Sequence, residues 1–120
     1  MEFQKAEIYK LIQKVKVTKQ TIDYVQGMPN KFKSLPSISY CNFINNPKYA
    51  FQNTIYSQTM SVQIDIWSNS SSINTLIFKN LCDIMTENGW QLITGEDMDR
   101  KENVFRIMTK WRKIVWTKLF

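Results

Sequence analysis

Apolar residues recur along this chain with two different periods, and the switches between them mark its elements. From residue 2 to 16, Phe3, Ala6, Ile8, Tyr9, Ile12 and Val15 fall on one helical stripe, widened by Leu11. Gln4, Lys5, Glu7, Lys10, Gln13 and Lys14 fill the other side. Residues 17–30 predict a connector or weak strand, in which Val17, Thr18, Thr21, Ile22 and Tyr24 favour extended backbone and Gly27-Met-Pro29 supplies the stop. Alternation begins at Pro36: Ile38, Tyr40 and Asn42 share one face, and Ser39, Cys41 and Phe43 the other. A proline is tolerated at the first residue of a strand or on an edge.

Residues 45–55 break the alternation and predict a polar, irregular loop, long for a hairpin connection. Tyr49 and Phe51 make it a candidate contact element. The clearest strand spans 55–67, with Val62, Ile64 and Ile66 on one side and Gln63, Asp65 and Trp67 on the other. Asp65 beside Trp67 on the outer face suits a polar subunit contact, and a solvated strand face suits it equally.

The period then returns to that of a helix. One of Ser70, Ser71 or Ser72 can cap it, Ile73, Leu76, Ile77, Leu81, Ile84 and Met85 form its stripe, and Asn88-Gly89 ends it. Trp90, Leu92 and Thr94 open another strand, residues 95–103 predict a charged hairpin loop, and the last strand covers 104–116. Phe105, Ile107, Thr109 and Trp111 share one face of it. Val104, Arg106, Met108, Lys110 and Arg112 share the other. The alternation slips near Lys113, where Ile114-Val-Trp116 begins a new apolar run, as at a bulge or the end of a sheet. The expected fold is α+β over the single domain 1–120. It has a central antiparallel sheet of about four strands with two helices on one face, in the order α-β-β-α-β-β.

Composition narrows the function classes. With 43% apolar and 13% aromatic residues, the 120-residue chain has a globular composition. No apolar run approaches the ~18 residues of a membrane span. The start, Met-Glu-Phe-Gln-Lys, lacks the basic and apolar regions of a secretory signal, so assembly in a cytoplasm is expected. Cys41 and Cys82, far apart in different elements, are expected as free, buried thiols. With no histidine and no paired cysteine spacing, a metal site is not expected.

The absence of histidine also removes the commonest general base. Three scattered glycines cannot cradle a phosphate, and no nucleophile-elbow or dinucleotide-binding pattern is present. Glu96, Asp97 and Asp99 cluster, but beside Arg100 and Lys101, as at a solvated turn. Neither catalysis nor a cofactor is therefore expected. The net charge is +6, with both ends basic: residues 1–34 carry seven lysines against three acids, and residues 104–120 carry five basic residues and no acid. This keeps open a small basic nucleic-acid-binding protein. Against it, Trp111 and Phe105 are expected on the face opposite Arg106, Lys110 and Arg112, which parts the aromatics from the cations that a single-strand platform needs together.

One resemblance spans about residues 3–116. Leu35-Pro-Ser-Ile-Ser-Tyr40 is followed by a polar loop ending in Ile55-Tyr-Ser57, then by Val62-Gln-Ile-Asp-Ile-Trp-Ser68. A helix ending Met85-Thr-Glu-Asn-Gly-Trp90 and a last strand after an acidic turn complete the pattern. This layout resembles the tail terminator (tail completion, or head–tail joining) proteins of long-tailed bacteriophages. Head-completion and minor tail proteins share similar small α+β layouts. The resemblance implies a structural virion protein at the tail–neck junction, assembled in the host bacterial cytoplasm, with no enzyme activity and no cofactor. It implies a homo-hexameric ring that caps the last ring of tail tube protein, stops tube growth and offers a surface to the head connector, while DNA passes through the lumen as cargo. On that reading Asn45–Asn53, with Lys48, Tyr49 and Phe51, is a first contact arm towards tube or connector. Glu96, Asp97, Asp99, Arg100 and Lys101 form a second. Asp65 and Trp67 with Arg106, Lys110 and Arg112 are candidates for the subunit–subunit face.

Overall fold

In the computed structural model, which describes residues 2–16, 22–28, 32, 34–49, 55–101 and 103–116, a long twisted sheet carries both helices on one face. The elements are α1 (Glu2–Ile12), β1 (Asp23–Gln26), β2 (Ser37–Tyr49), β3 (Ile55–Ser68), α2 (Ser71–Glu87), β4 (Gln91–Lys101) and β5 (Val104–Trp116). The fold is α+β as expected. The sheet, however, has five strands in the order β1-β2-β3-β5-β4, and it is mixed rather than wholly antiparallel, because β1 pairs parallel to β2. The four residues of β1 fall within the stretch whose β-branched residues favour extended backbone, and Gly27 at φ +92° ends the strand.

The helix-side face of β3 is the centre of the core. Met60, Val62, Ile64 and Ile66 pack with Ile38 and Tyr40 of β2, Ile107 and Trp111 of β5, Ile8 and Ile12 of α1, and Ile77, Leu81 and Met85 of α2. Trp111 is fully buried, so its indole N–H must find a partner inside. It donates to Thr109 Oγ1 at 2.8 Å, and the Thr109 hydroxyl in turn donates to the Ile64 carbonyl at 2.7 Å.

The helix ends follow their sequence signals. Ser70 is the N-cap of α2 and accepts from the amide of Ile73. At the other end the amides of Gly89 and Trp90 return to the carbonyls of Thr86 and Met85. That pair of bonds needs the left-handed φ of +86° that Gly89 adopts. Helix α1 stops at Ile12, earlier than the expected residue 16. The amides of Lys14 and Val15 tighten onto Leu11 and Ile12, which lets Val15 turn into the core. Its tail is pinned by the Tyr24 hydroxyl, 2.7 Å from the Val15 carbonyl, and by Asn80 of α2, which accepts from the Lys16 amide.

Three expectations about strands and loops change. Asn45–Tyr49 are strand, not loop, since β2 pairs with β3 as far as Tyr49↔Ile55. Gly95–Lys101 are also strand, and β4 turns into β5 only at Lys101↔Val104. Asn46–Lys48 and Gly95–Asp97 are polar because they are exposed on a sheet, not because they leave it. No slip occurs at Lys113 either, for β5 pairs without a break with β3 to Ser57↔Trp116. The new apolar run there is a strand whose outer face carries exposed apolar residues. The irregularity lies instead in β2, where Asn42 and Phe43 oppose the single residue Val62. Asn42 takes the positive φ of 54° that asparagine tolerates, and the bulge returns Phe43 to the core face.

Thr109→Val keeps the shape of the core but orphans the Trp111 indole. It is expected to cost about 1–3 kcal/mol, read as a lower urea midpoint with an unchanged slope.

Candidate interaction surface

The strand alternation that sends Val62, Ile64 and Ile66 under the helices sends Ser61, Gln63, Asp65 and Trp67 to the helix-free face. At the β1 end of that face lies a polar network. Asp65 has no exposed surface. Its carboxylate accepts from Gln63 Nε2 at 3.1 Å and from Arg106 at 3.2 Å. Gln63 Oε1 accepts in turn from Asn42 Nδ2, which ties the bulge into the network. The Arg106 guanidinium lies 4.8 Å from the centre of the Trp67 ring, and the indole N–H donates to Ser39 Oγ. Phe32 covers the same ring from the connector, centroid to centroid 5.1 Å.

Burial pushes the Asp65 carboxyl above its ordinary range, although the hydrogen bond from Gln63 and the charge of Arg106 pull it down. Cys41 and Cys82 are free and only half-buried, rather than buried as expected. Burial raises the thiol of each, helped by the charge of Asp65 at Cys41 and of Asp83 at Cys82, so neither is poised as a thiolate. Among the described residues no group of three His, Cys, Asp or Glu is placed to hold a metal, and no helix is long and apolar enough to cross a membrane.

Beyond the bulge the same face continues along an arm made of β2, β3 and β5. Register sets its side chains in three rows: Ile44–Ser61–Arg112, Asn46–Thr59–Ile114 and Lys48–Ser57–Trp116. The middle strand supplies only small hydroxyl residues, so the outer strands form two rails about 10 Å apart. The rails carry exposed apolar groups: Ile44 at 50%, Ile114 at 47% and Trp116 at 70% of their full surface. Lys48 and Arg112, both exposed, stand at diagonal corners. The alternation Arg112, Ile114, Trp116 was legible in the sequence as one face, and only the expectation of a slip at Lys113 hid it.

The expected contact residues divide by place. Asn45 lies on the helix side of β2, where its Nδ2 donates to Gln58. Lys48 is on the arm rail, Tyr49 is the last residue of β2, and Phe51 lies outside the described residues. Glu96 and Asp97 are exposed on β4, with Asp99, Arg100 and Lys101 at its far end. The structure brings Asp65, Trp67 and Arg106 together in one cluster, with Lys110 and Arg112 exposed further along the same face. The expected parting of aromatics from cations holds for Trp111, which is buried in the core, and for Phe105, which the register places on the same helix-side face. Trp67 and Trp116 share the cationic face.

Arg106→Met is expected to cost about 3 kcal/mol, because it leaves the buried Asp65 charge with Gln63 alone. Adding Asp65→Asn should return most of that loss in urea unfolding. The raised pKa gives a signed pH dependence. Folded Asp65 holds its proton more tightly than the unfolded chain, so its ionisation weighs against folding at neutral pH. The wild type should therefore gain stability relative to Asp65→Asn as pH falls through the raised folded pKa, with the gain complete below the ordinary carboxylate pKa.

No protein-family model matches the sequence, and no curated protein matches it. Among solved structures the fold is similar to that of a chain in the virion of a native gene transfer agent particle. The likeness has a TM-score of 0.60 and 9% sequence identity, and it covers 93% of this chain and 86% of that one.

Proposed function

We propose that this chain is a structural virion protein of the tail–neck junction of a long-tailed phage. It forms a homo-oligomeric ring of six copies that caps the tail tube, ends its polymerisation and presents a surface to the head connector. The reading rests first on the resemblance of the sequence, from Leu35 to Trp90 and into β5, to tail terminator proteins. The likeness in fold to a virion chain over nearly the full length of both supports it.

The single observation that carries it is the position of the two hairpin ends. The molecule is 54 Å long and 26 by 22 Å across. β5 starts opposite Ser68 and ends opposite Ser57, so the β2–β3 connection and the β4–β5 turn lie at opposite ends of the sheet. A ring whose axis follows the sheet thus presents one set of hairpin tips to each neighbour. Tyr49 and Phe51 serve one side, and Asp99, Arg100 and Lys101 the other. A protein that joins two different rings requires two such contact sets. The lumen passes DNA as cargo, and the ring needs no cofactor and carries out no reaction.

The test is electron microscopy of the protein mixed with its tail tube protein. Added density at one end of each tube, with tube length no longer growing, is the expected result. Bare tubes, with the protein retained instead on DNA at low salt, would transfer the assignment to nucleic-acid binding. The two tips are expected to separate by partner. Tyr49→Ala with Phe51→Ala should abolish one of the two contacts, tube or connector, and Asp99→Ala with Arg100→Ala and Lys101→Ala the other. Loss of the same contact by both variants would refute the opposite-end assignment.

A further inference from the structure

We infer that Asn88 is a latent modification site, where the side-chain amide is lost through a cyclic imide to give aspartate or isoaspartate, and that the C-terminal cap of α2 is the gate that holds this reaction back. The site does not depend on the ring reading.

Of the three glycines only Gly89 follows an asparagine. Asparagine is among the thermolabile residues, and a following glycine places no Cβ beside the nitrogen that must attack. The backbone nitrogen of Gly89 gives its proton to hydroxide and bonds to Asn88 Cγ. The Cγ–Nδ2 bond breaks, and the side-chain nitrogen takes up a proton from water and leaves as ammonia. One water molecule then opens the imide. Attack at Cγ gives aspartate. Attack at the main-chain carbonyl carbon gives isoaspartate, in which the chain runs on through Cγ. In sum, one amide and one water become one carboxylate and one ammonium ion. No oxidant, reductant or catalytic side chain is required.

Both reacting groups are engaged in the folded chain. The Gly89 N–H donates to the Thr86 carbonyl at 3.1 Å. Asn88 Nδ2, the leaving group, donates to the Ile84 carbonyl at 2.8 Å. Attack requires both bonds to open and the side chain to turn towards the Gly89 nitrogen. Water is at hand, since Gly89 is exposed and Asn88 only half-buried. Lys113 lies across the same corner from β5: a Cβ added at Gly89 would stand 3.3 Å from its Cε, and its Nζ is 6.0 Å from the centre of the Trp90 ring.

The product does not fit the cap it leaves. A carboxylate at position 88 has no proton to donate to the Ile84 carbonyl, and it sets negative charge at the negative end of the helix dipole. Isoaspartate adds one backbone atom between positions 88 and 89. The bonds from Gly89 and Trp90 back to Thr86 and Met85 then lose their spacing. Trp90 is buried in the core and leads directly into β4 at Gln91. Modification therefore loosens the joint between α2 and β4.

The test compares the folded protein with the same protein held unfolded in guanidinium chloride, both at mildly alkaline pH. Aspartate and isoaspartate at position 88 are read by peptide mapping, and ammonia release is measured alongside. Hydrogen exchange of the Gly89 amide in the folded protein reports how often the cap opens. Product at Asn88 should form about tenfold or more slowly in the folded protein, because opening loses two hydrogen bonds, and the slowing should match the protection of the Gly89 amide. Equal rates in the two samples would mean that no gate exists, and an unfolded chain that yields no product at position 88 would mean that no site exists. Either result overturns the proposal. Asn88→Asp, which carries one product from the start, should speed exchange of the Gly89 amide about fivefold through loss of the bond to Ile84. Exchange unchanged from the wild type would overturn the part assigned to the Asn88 side chain in closing the gate.

Discussion

The constraint on which this structure depends is that β3 lies between two strands and has both faces committed. Towards the helices it presents Met60, Val62, Ile64 and Ile66, and without that row neither helix has a floor. Away from them it presents small hydroxyls, Gln63, Asp65 and Trp67. A shift of one residue against either neighbour would exchange these sets and place an aspartate under two helices. The buried polar bonds oppose that shift. Thr109 reaches the Ile64 carbonyl from β5, Arg106 reaches Asp65 from the same strand, and Ser39 and Asn42 hold Trp67 and Gln63 from β2. Their main contribution is register, since burial alone still tolerates a shift of two residues, which keeps each side chain on its face.

The same distinction explains what could be read from the sequence. The helices, the alternation of β3 and the faces of β5 as far as Arg112 were legible because a core enforces a period on residues that touch it. α2 was legible at both ends, because Ser70, Asn88 and Gly89 act through bonds to nearby backbone. The arm was not, since no burial imposes a pattern on Asn46–Lys48, and neither was the outer part of β4 at the other end of the sheet, where Gly95–Asp97 are exposed. Polar composition there resembled loop. The bulge at Asn42 was hidden because it depends on where β1 ends and on a cross-strand partner, Gln63, 21 residues away. The Trp67–Arg106 contact, 39 positions apart, depends on which strands are neighbours. Strand order is the quantity that alternation does not contain.

The two ends of the helix-free face are built on different physics. Near β1 the polar groups are enclosed, and their bonds are directed at one another. On the arm, apolar groups stand in water with charges at the corners and small hydroxyls between them. The first arrangement stiffens a monomer. The second leaves apolar area that gains free energy when another surface covers it. Ile44, Ile114 and Trp116 supply that area on the arm.

The length of the arm sets a mechanical property of its own. Because side chains alternate, the β2–β3 hairpin can be lengthened or shortened by two residues in each strand without turning any side chain to the wrong face. Each such change moves the tip by about 7 Å and leaves the helices and the Asp65 cluster untouched. The hairpin is in effect a spacer with a fixed increment, attached to a body that does not register its length. Two partners held at opposite ends of such a sheet can therefore drift apart or together in evolution by whole steps, and the body between them need not be rebuilt to keep the joint closed.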